Sequence, residues 1–467
     1  MALAPGTAHR AALLGVLCVP AFMVVLDSNL VTVALPSIRA DLRFSRPGLQ
    51  WVIGAYSLGF GGSLLVLGRA GDLYGRRRLF TDGLVTFSLA SVAVALAPTR
   101  PALLGARAVE GLAAAMAVPA SLALMANLFD EGESRNRALG VYGMAVSAAF
   151  VSGVSLGGVL TALAGWRSVF VLNPLLGIAA ALTARSLLAD DKARGRPGDL
   201  DLPGAVAAVG AMGTLLYGLG LAGRTGRLSP SSCVLFELSV LLAGLAWVLE
   251  RRSRVPLVPA VLLRTRTVAS ACTAALLTVG TGVGVMFVLT LYLQEVLGYG
   301  PISSGFALTL LGVAGVAAGW VAPRVAGHLG LPRALAVALV IQAAGVALLV
   351  PIGADGGLPF VLAGSAVIGM GHFAATVIFT ALATSRVCER HQGVTMGLVS
   401  SAQQIGGALG LALLVAVASA RTNATAEDGV TTGVAVVDGF RFALGVGVGL
   451  SLLAAVLVLA LSRSKRR

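Results

Sequence analysis

The chain has 467 residues, 57% of them hydrophobic and 12% charged, with a mean hydropathy of +0.91. Average soluble domains carry about 25% charged residues, so a soluble multidomain protein and a disordered chain are both excluded. The formal charge of +14 comes from 34 Lys and Arg against 20 Asp and Glu; in so apolar a chain it reads as basic cytoplasmic loops, not as a nucleic-acid surface.

His9 and Arg10 precede an apolar run from Ala11 to Pro36. It is too long for a signal-peptide core and lacks an A-x-A site, so it is expected to be the first membrane span and not a leader. Further stretches of spanning length follow, and the expected set is 12–36, 49–68, 79–98, 101–127, 138–162, 166–188, 202–222, 231–250, 268–293, 303–322, 333–351, 358–384, 393–419 and 439–462. Fourteen spans put both termini on one side. With the termini inside, the inner segments hold 24 Lys and Arg and the outer segments nine, which predicts cytoplasmic termini. The Ala, Gly and Arg bias suggests a GC-rich bacterial genome, and so an inner-membrane protein. Cys18, Cys233, Cys272 and Cys388 lie far apart without C-x-x-C spacing, so neither a disulfide framework nor a metal site is expected.

Two segments repeat. Arg69, Gly75 and Arg78 after the second span match Arg324, Gly330 and Arg333 after the tenth. Gly140, Gly153 and Gly157 in the fifth span match Gly393, Gly406 and Gly410 in the thirteenth. The expectation is an all-α membrane protein of two six-helix bundles with two inserted helices. Its units are 1–188, then 189–262 (a charged linker plus spans 7 and 8), then 263–467. Parallel halves of this kind are a transporter architecture.

Charged residues within spans are costly and mark function. Asp27 lies about 15 residues into the first span, ~22 Å along a helix. Arg107 and Glu110 are i,i+3 neighbours that share one face of the fourth span, with Gly111 beside them. A purely structural buried ion pair is the competing reading. Secondary candidates are Glu237 in the inserted eighth span, His372 beside Gly369 and Gly371 in the twelfth, and Gln403 with Gln404 in the thirteenth. Glu295, near an outer helix end, reads as interfacial.

The loop after the second span carries Gly68, Asp72, Gly75, Arg76 and Arg77. It resembles the G-x-L-A-D-x-x-G-R-[KR] signature of the major facilitator superfamily. Leu26-Asp27-Ser28-Asn29-Leu30-Val31-Thr32-Val33-Ala34-Leu35-Pro36 is similar to the first-helix motif of that superfamily's fourteen-helix drug:proton antiporters. Arg107-Ala108-Val109-Glu110-Gly111 resembles their R-x-x-Q-G, with Glu110 in place of Gln. Trp166-Arg167-Ser168-Val169-Phe170-Val171-Leu172-Asn173-Pro174 resembles their W-R-x-x-F-x-x-N-x-P. Gly153, Gly157 and Gly158 fit the helix-5 antiporter motif G-P-x-x-G-G, with Val154 at the proline position.

The resemblance implies a major facilitator fold and proton-coupled export of amphipathic or cationic organic compounds, including antibiotics, by alternating access. Asp27 is expected to be the primary proton and cation site, modulated by Arg107 and Glu110. Asp72 and the following arginines are expected to gate the cytoplasmic side. The expected partners are a small-molecule substrate, protons and the bilayer, with no cofactor and a monomeric state. Within transport, a carrier of a metabolite, lipid or peptide stays open. A membrane-embedded enzyme would need clustered polar residues that His9, His328, His372 and His391 do not provide, and no nucleotide phosphate loop is found.

Overall fold

The computed structural model describes residues 7–129, 133–188, 202–225, 229–252, 262, 265–354, 356–385, 387, 389–427 and 432–463. The linker expected at 189–200 lies outside them.

The first six long helices are α1 (Thr7–Leu42), α2 (Arg46–Tyr74), α3 (Arg76–Ala95), α4 (Arg100–Leu128), α5 (Glu133–Ala164) and α6 (Leu172–Leu187). A 3-10 turn, Trp166–Phe170, joins α5 to α6. Next come α7 (Leu202–Thr225) and α8 (Pro230–Arg252). The last six are α9 (Arg266–Leu291), α10 (Pro301–Leu329), α11 (Leu331–Ala347), α12 (Leu358–Thr384), α13 (Glu389–Glu427) and α14 (Thr432–Arg463). The architecture is all-helical. Each of the fourteen expected stretches coincides with one of these helices, α6 together with the 3-10 turn before it. Among the described residues, 11 helical stretches are long and apolar enough to cross a membrane, and Val206–Ala222 and Leu331–Ala347 are shorter apolar helices.

Local chemistry explains the breaks. Pro47, Pro101, Pro301, Pro332 and Pro359 stand in the first turns of their helices, where a missing N–H costs nothing. Gly75 separates α2 from α3 at φ 103°, and Gly330 separates α10 from α11 at φ 77°. Both N–H groups return to the carbonyl four residues back, Gly71 and Ala326 respectively. The two matched sequence segments therefore make the same turn.

The second repeat is also structural. A Cβ on Gly153 would lie 2.9 Å from the Leu26 carbonyl of α1, and one on Gly157 3.1 Å from Leu30 Cα. Their counterparts Gly406 and Gly410 meet α9 the same way, 2.1 Å from the Leu276 carbonyl and 2.3 Å from the Gly280 carbonyl. A third equivalence joins Gly111 of α4 and Gly369 of α12. They rest on the carbonyls of Tyr56 in α2 and Leu311 in α10, where a Cβ would have only 2.1 and 2.0 Å.

Helices α1–α6 pack on one another, and so do α9–α14. The two groups meet from mid-helix to the end that carries the 43–45 turn. There Gly158 abuts the Pro301 carbonyl, Gly305 abuts the Val154 carbonyl, and Ser155 and Thr309 hydrogen-bond at 3.1 Å. Phe150 and Phe373 stack edge to face at 5.3 Å, and Gly61 of α2 takes Gln404 of α13. Helix α7 lies along the α2–α13 seam, with Val209 over Gly62 and Leu216 packed with Ala408 and Ala412. Helix α8 packs on α7, where Ser239 donates to the Ala211 carbonyl at 2.8 Å.

Past Leu291 the backbone widens into a π turn, Tyr292–Val296, in which the Leu297 N–H reaches the Tyr292 carbonyl. The Tyr292 hydroxyl donates to the Gly353 carbonyl within its own bundle. The next residues cross to the other bundle: Gln294 Nε2 donates to the Val33 carbonyl at 3.0 Å, and Glu295 pairs with Arg39.

Candidate functional site

Asp27 sits midway along α1, Arg107 and Glu110 on one face of α4. The fold brings all three together in the interior of the first bundle. Arg107 Nη1 donates to Asp27 Oδ2 and to Glu110 Oε2, each at 2.6 Å. Its Nε donates to the Val52 carbonyl of α2 at 3.1 Å. Its guanidinium lies over the Tyr56 ring, 4.6 Å from the centroid. Asp27, Arg107 and Glu110 are each at most 1% exposed, and ionised side chains are buried to that degree only when paired.

Three residues not among the expected site residues complete the network. Asn173 Nδ2 donates to Asp27 Oδ1 at 3.0 Å and reaches Ser91 Oγ at 3.2 Å. Ser91 Oγ donates to the Phe170 carbonyl at 3.1 Å. Tyr56 supplies the aromatic face. The network thus draws on α1, α2, α3, α4 and α6. Asn173 had a signal in the sequence, as a polar residue inside an apolar run. Ser91 and Tyr56 had none.

The W-R-x-x-F-x-x-N stretch now has a physical reading. Trp166 Nε1 and Arg167 Nη1 both donate to Asp41 Oδ2 at the end of α1, at 2.9 and 2.6 Å. This clasp fixes the 3-10 turn over the network. Phe170 then roofs Arg107 at 5.9 Å, and Asn173 reaches Asp27.

The other candidates fall elsewhere. His372 of α12 faces α9, where a Cβ on Gly282 would lie 2.7 Å from its ring, and it stacks edgewise on Phe373 at 5.4 Å. It belongs to the second bundle and is separate from the Asp27 network. Glu237 is exposed on α8. Gln403 is half-buried on α13, next to the Gln404 that meets Gly61. The segment expected as a loop is helical on both sides of one residue: Gly68 and Asp72 lie in α2, Arg76 and Arg77 in α3. Gly68 faces Pro119 of α4, and Gly75 makes the positive-φ turn, because one glycine suffices to reverse the chain. Arg76 Nη1 donates to the Ala123 carbonyl at 3.3 Å and Arg77 Nη2 to the Arg185 carbonyl at 2.8 Å. These two arginines tie α3 to α4 and α6. Asp72 lies on the last turns of α2, with its side chain outside the described set. Among the described residues no group of His, Cys, Asp and Glu could hold a metal ion.

Residues 17–411 match the Major Facilitator Superfamily. The chain belongs to this superfamily. It is 38% identical over 424 residues to the puromycin resistance protein of Streptomyces alboniger, covering 89% of this chain and 83% of that one. It is 36% identical over 418 residues to the cephamycin export protein of Amycolatopsis lactamdurans, covering 87% and 84%. A multidrug resistance protein of Mycobacterium tuberculosis is 31% identical over 407 residues, covering 87% and 75%. The fold matches the inward-facing, occupied crystal structure of a bacterial homologue of the human lysosomal transporter Spinster, with a TM-score of 0.68 over 99% of this chain and 98% of that one at 16% identity. It also matches the transporter PepTSo, with a TM-score of 0.70 over 99% of each chain at 13% identity. The protein is therefore a multi-pass membrane protein of a superfamily of transporters.

Proposed function

We propose that this superfamily member exports amphipathic or cationic organic compounds of the antibiotic class in exchange for protons. The reading makes it a fourteen-span protein of the bacterial inner membrane with both termini cytoplasmic, working as a monomer. Bundles 1–188 and 263–467 alternate access, and 189–262 links them through α7 and α8. The relatives named for puromycin resistance, cephamycin export and multidrug resistance support the substrate class.

The observation that carries the coupling is the sealed trio of Asp27, Arg107 and Glu110. With both carboxyl groups ionised it holds one excess negative charge on side chains that are at most 1% exposed. One proton cancels that charge, and so does an adjacent organic cation. A site that accepts either, but not both, exchanges one for the other. With the termini inside, the bundles are closed on the outer side, and the cargo side faces the cytoplasm. Asp72 with Arg76 and Arg77 then serves the cytoplasmic closure.

The test is transport by the purified protein in proteoliposomes under an imposed proton gradient. Puromycin, a cephamycin and ethidium are offered separately, with internal pH followed by a trapped dye. Each transported compound should move protons the opposite way. Transport of a neutral metabolite with none of the three moving would replace this reading by that of a metabolite carrier.

A further inference from the structure

The trio contains two carboxyl groups and one exchangeable excess charge, so the proton must choose between them. The hydrogen bonds on the two groups are not alike. Each oxygen of Asp27 has a donor: Oδ2 accepts from Arg107 and Oδ1 from Asn173. The Arg107 donor has no acceptor form, and the Asn173 amide could accept a proton from Asp27 only by turning over and giving up its own bond to Asp27. A proton on Asp27 Oδ2 would compete with the Arg107 N–H, and one on Oδ1 would require the Asn173 amide to turn over. Glu110 is different. Its Oε2 accepts from Arg107, and its Oε1 is buried with no hydrogen-bond partner, the neighbouring Ser91 hydroxyl donating to the Phe170 carbonyl instead. A buried acceptor left bare costs about 1–3 kcal/mol, and more when it carries charge. An O–H bond formed at Oε1 removes that charge and displaces no donor.

The charged and titratable groups facing Glu110 are few. Arg107 lies on its own helix, Asp27 comes from α1 and Tyr56 from α2. Helices α3 and α6 contribute the neutral Ser91 and Asn173. With Glu110 neutral, Arg107 and Asp27 form a balanced pair with both Asp27 oxygens satisfied. With Glu110 ionised, the excess charge faces outward from that pair at the one bare oxygen.

We propose that Glu110, and not Asp27, carries the exchanged proton, while Asp27 stays ionised as the permanent counter-ion of Arg107. In the cycle an O–H bond forms on Glu110 Oε1 from an outer-side hydronium ion, leaving water. It breaks on the cytoplasmic side to a water molecule, which leaves as hydronium. Glu110 is thus a coupling residue of this chain in its own right, at a position where the drug:proton antiporter motif carries a residue that cannot ionise. The assignment rests on the coupling reading above only for its role in transport. The protonation itself is a property of the resting protein.

The experiment is infrared difference spectroscopy of the whole protein in lipid during a pH jump, without any transported compound. Samples carry either 13C-carboxyl glutamate or 13C-carboxyl aspartate. A protonated-carboxyl band that shifts with the glutamate label, does not shift with the aspartate label, and is lost in Glu110→Gln is the expected result. A band that shifts with the aspartate label overturns the proposal, as does a glutamate-shifted band that survives in Glu110→Gln. The absence of any protonated-carboxyl band overturns it too. In the unaltered protein the two labels alone decide between aspartate and glutamate, and Glu237→Gln and Glu295→Gln, which should both keep the band, exclude those two glutamates whatever the fold of Glu110→Gln. If the proteoliposomes export nothing while the glutamate band is present, the export reading fails and the assignment stands.

Discussion

Arg39 at the end of α1 and Glu295 in the π turn after α9 form an ion pair that joins the two bundles. Both side chains are partly exposed, at 31% and 14%, and pairs of that kind contribute about 0–1 kcal/mol. Such a contact can bias an open–closed balance by no more than about fivefold, and so can be broken in every cycle. Glu295→Gln should therefore raise the reactivity of a cysteine placed at the buried Val33 toward a reagent on that face, by a few fold. Exchanging the charges in Arg39→Glu with Glu295→Arg should restore protection. Unchanged labelling in Glu295→Gln would remove the pair from the closure.

Arg107→Ala leaves two buried carboxyl groups without their cation. Breaking a buried pair from one side costs about 3–5 kcal/mol, so this variant should show a large drop in thermal unfolding temperature in detergent. Glu110→Gln keeps the Arg107–Asp27 pair and should lose far less. Equal melting of the two variants would mean that the trio does not hold the first bundle together.

The α9–α13 contact tolerates no side chain at Gly410, where a Cβ would lie 2.3–2.4 Å from three Gly280 backbone atoms. Gly410→Val should destabilise by about 1–3 kcal/mol through overpacking and lower the folded yield. Gly407→Ala is the control, because its new Cβ meets only Val283 and Val279 side-chain carbons at 3.5 and 3.6 Å. Similar yields for both would show that the helices separate without cost.

Asp72→Asn should insert normally and export slowly, because it removes the carboxylate from the α2–α3 junction proposed to close the cytoplasmic side. Wild-type turnover at equal expression would discard that role. Single-cysteine labelling from outside the cell checks the orientation on which it depends. Positions near Gly300 or Gly356 should react, and position 195 should not; labelling at 195 would invert the topology.

The helices and their breaks were readable because apolar length, proline and glycine act locally. The glycine turns at Gly75 and Gly330 could be matched from spacing alone. So could Arg107 beside Glu110, since three residues on a helix share a face. What spacing could not convey was the position of Asp27. Its pairing with Arg107 joins residues 80 apart in sequence and depends on how α1 leans on α4. Sequence reasoning placed the arginine beside one carboxyl group. The fold places it between two, and that removes the basis for ranking Asp27 first. Asn173 looked like part of a motif with no assigned task, because its partner is 146 residues away.

The equivalence of Gly111 and Gly369 carries one more consequence. Moving four residues back from each sets Ser365 of α12 where Arg107 stands on α4, and one residue back sets Ile368 where Glu110 stands. The two copies are mechanically alike and electrically unlike: one lobe carries a charged trio at this level, and the other has a serine and an isoleucine. Under the alternating-access reading, the trio can reach the second lobe only across the seams, such as those where Phe150 meets Phe373 and Gly61 meets Gln404. The second lobe has no matching titration of its own at this level. Charge movement that originates at this level as the carrier reorients is accordingly the signature of the first lobe.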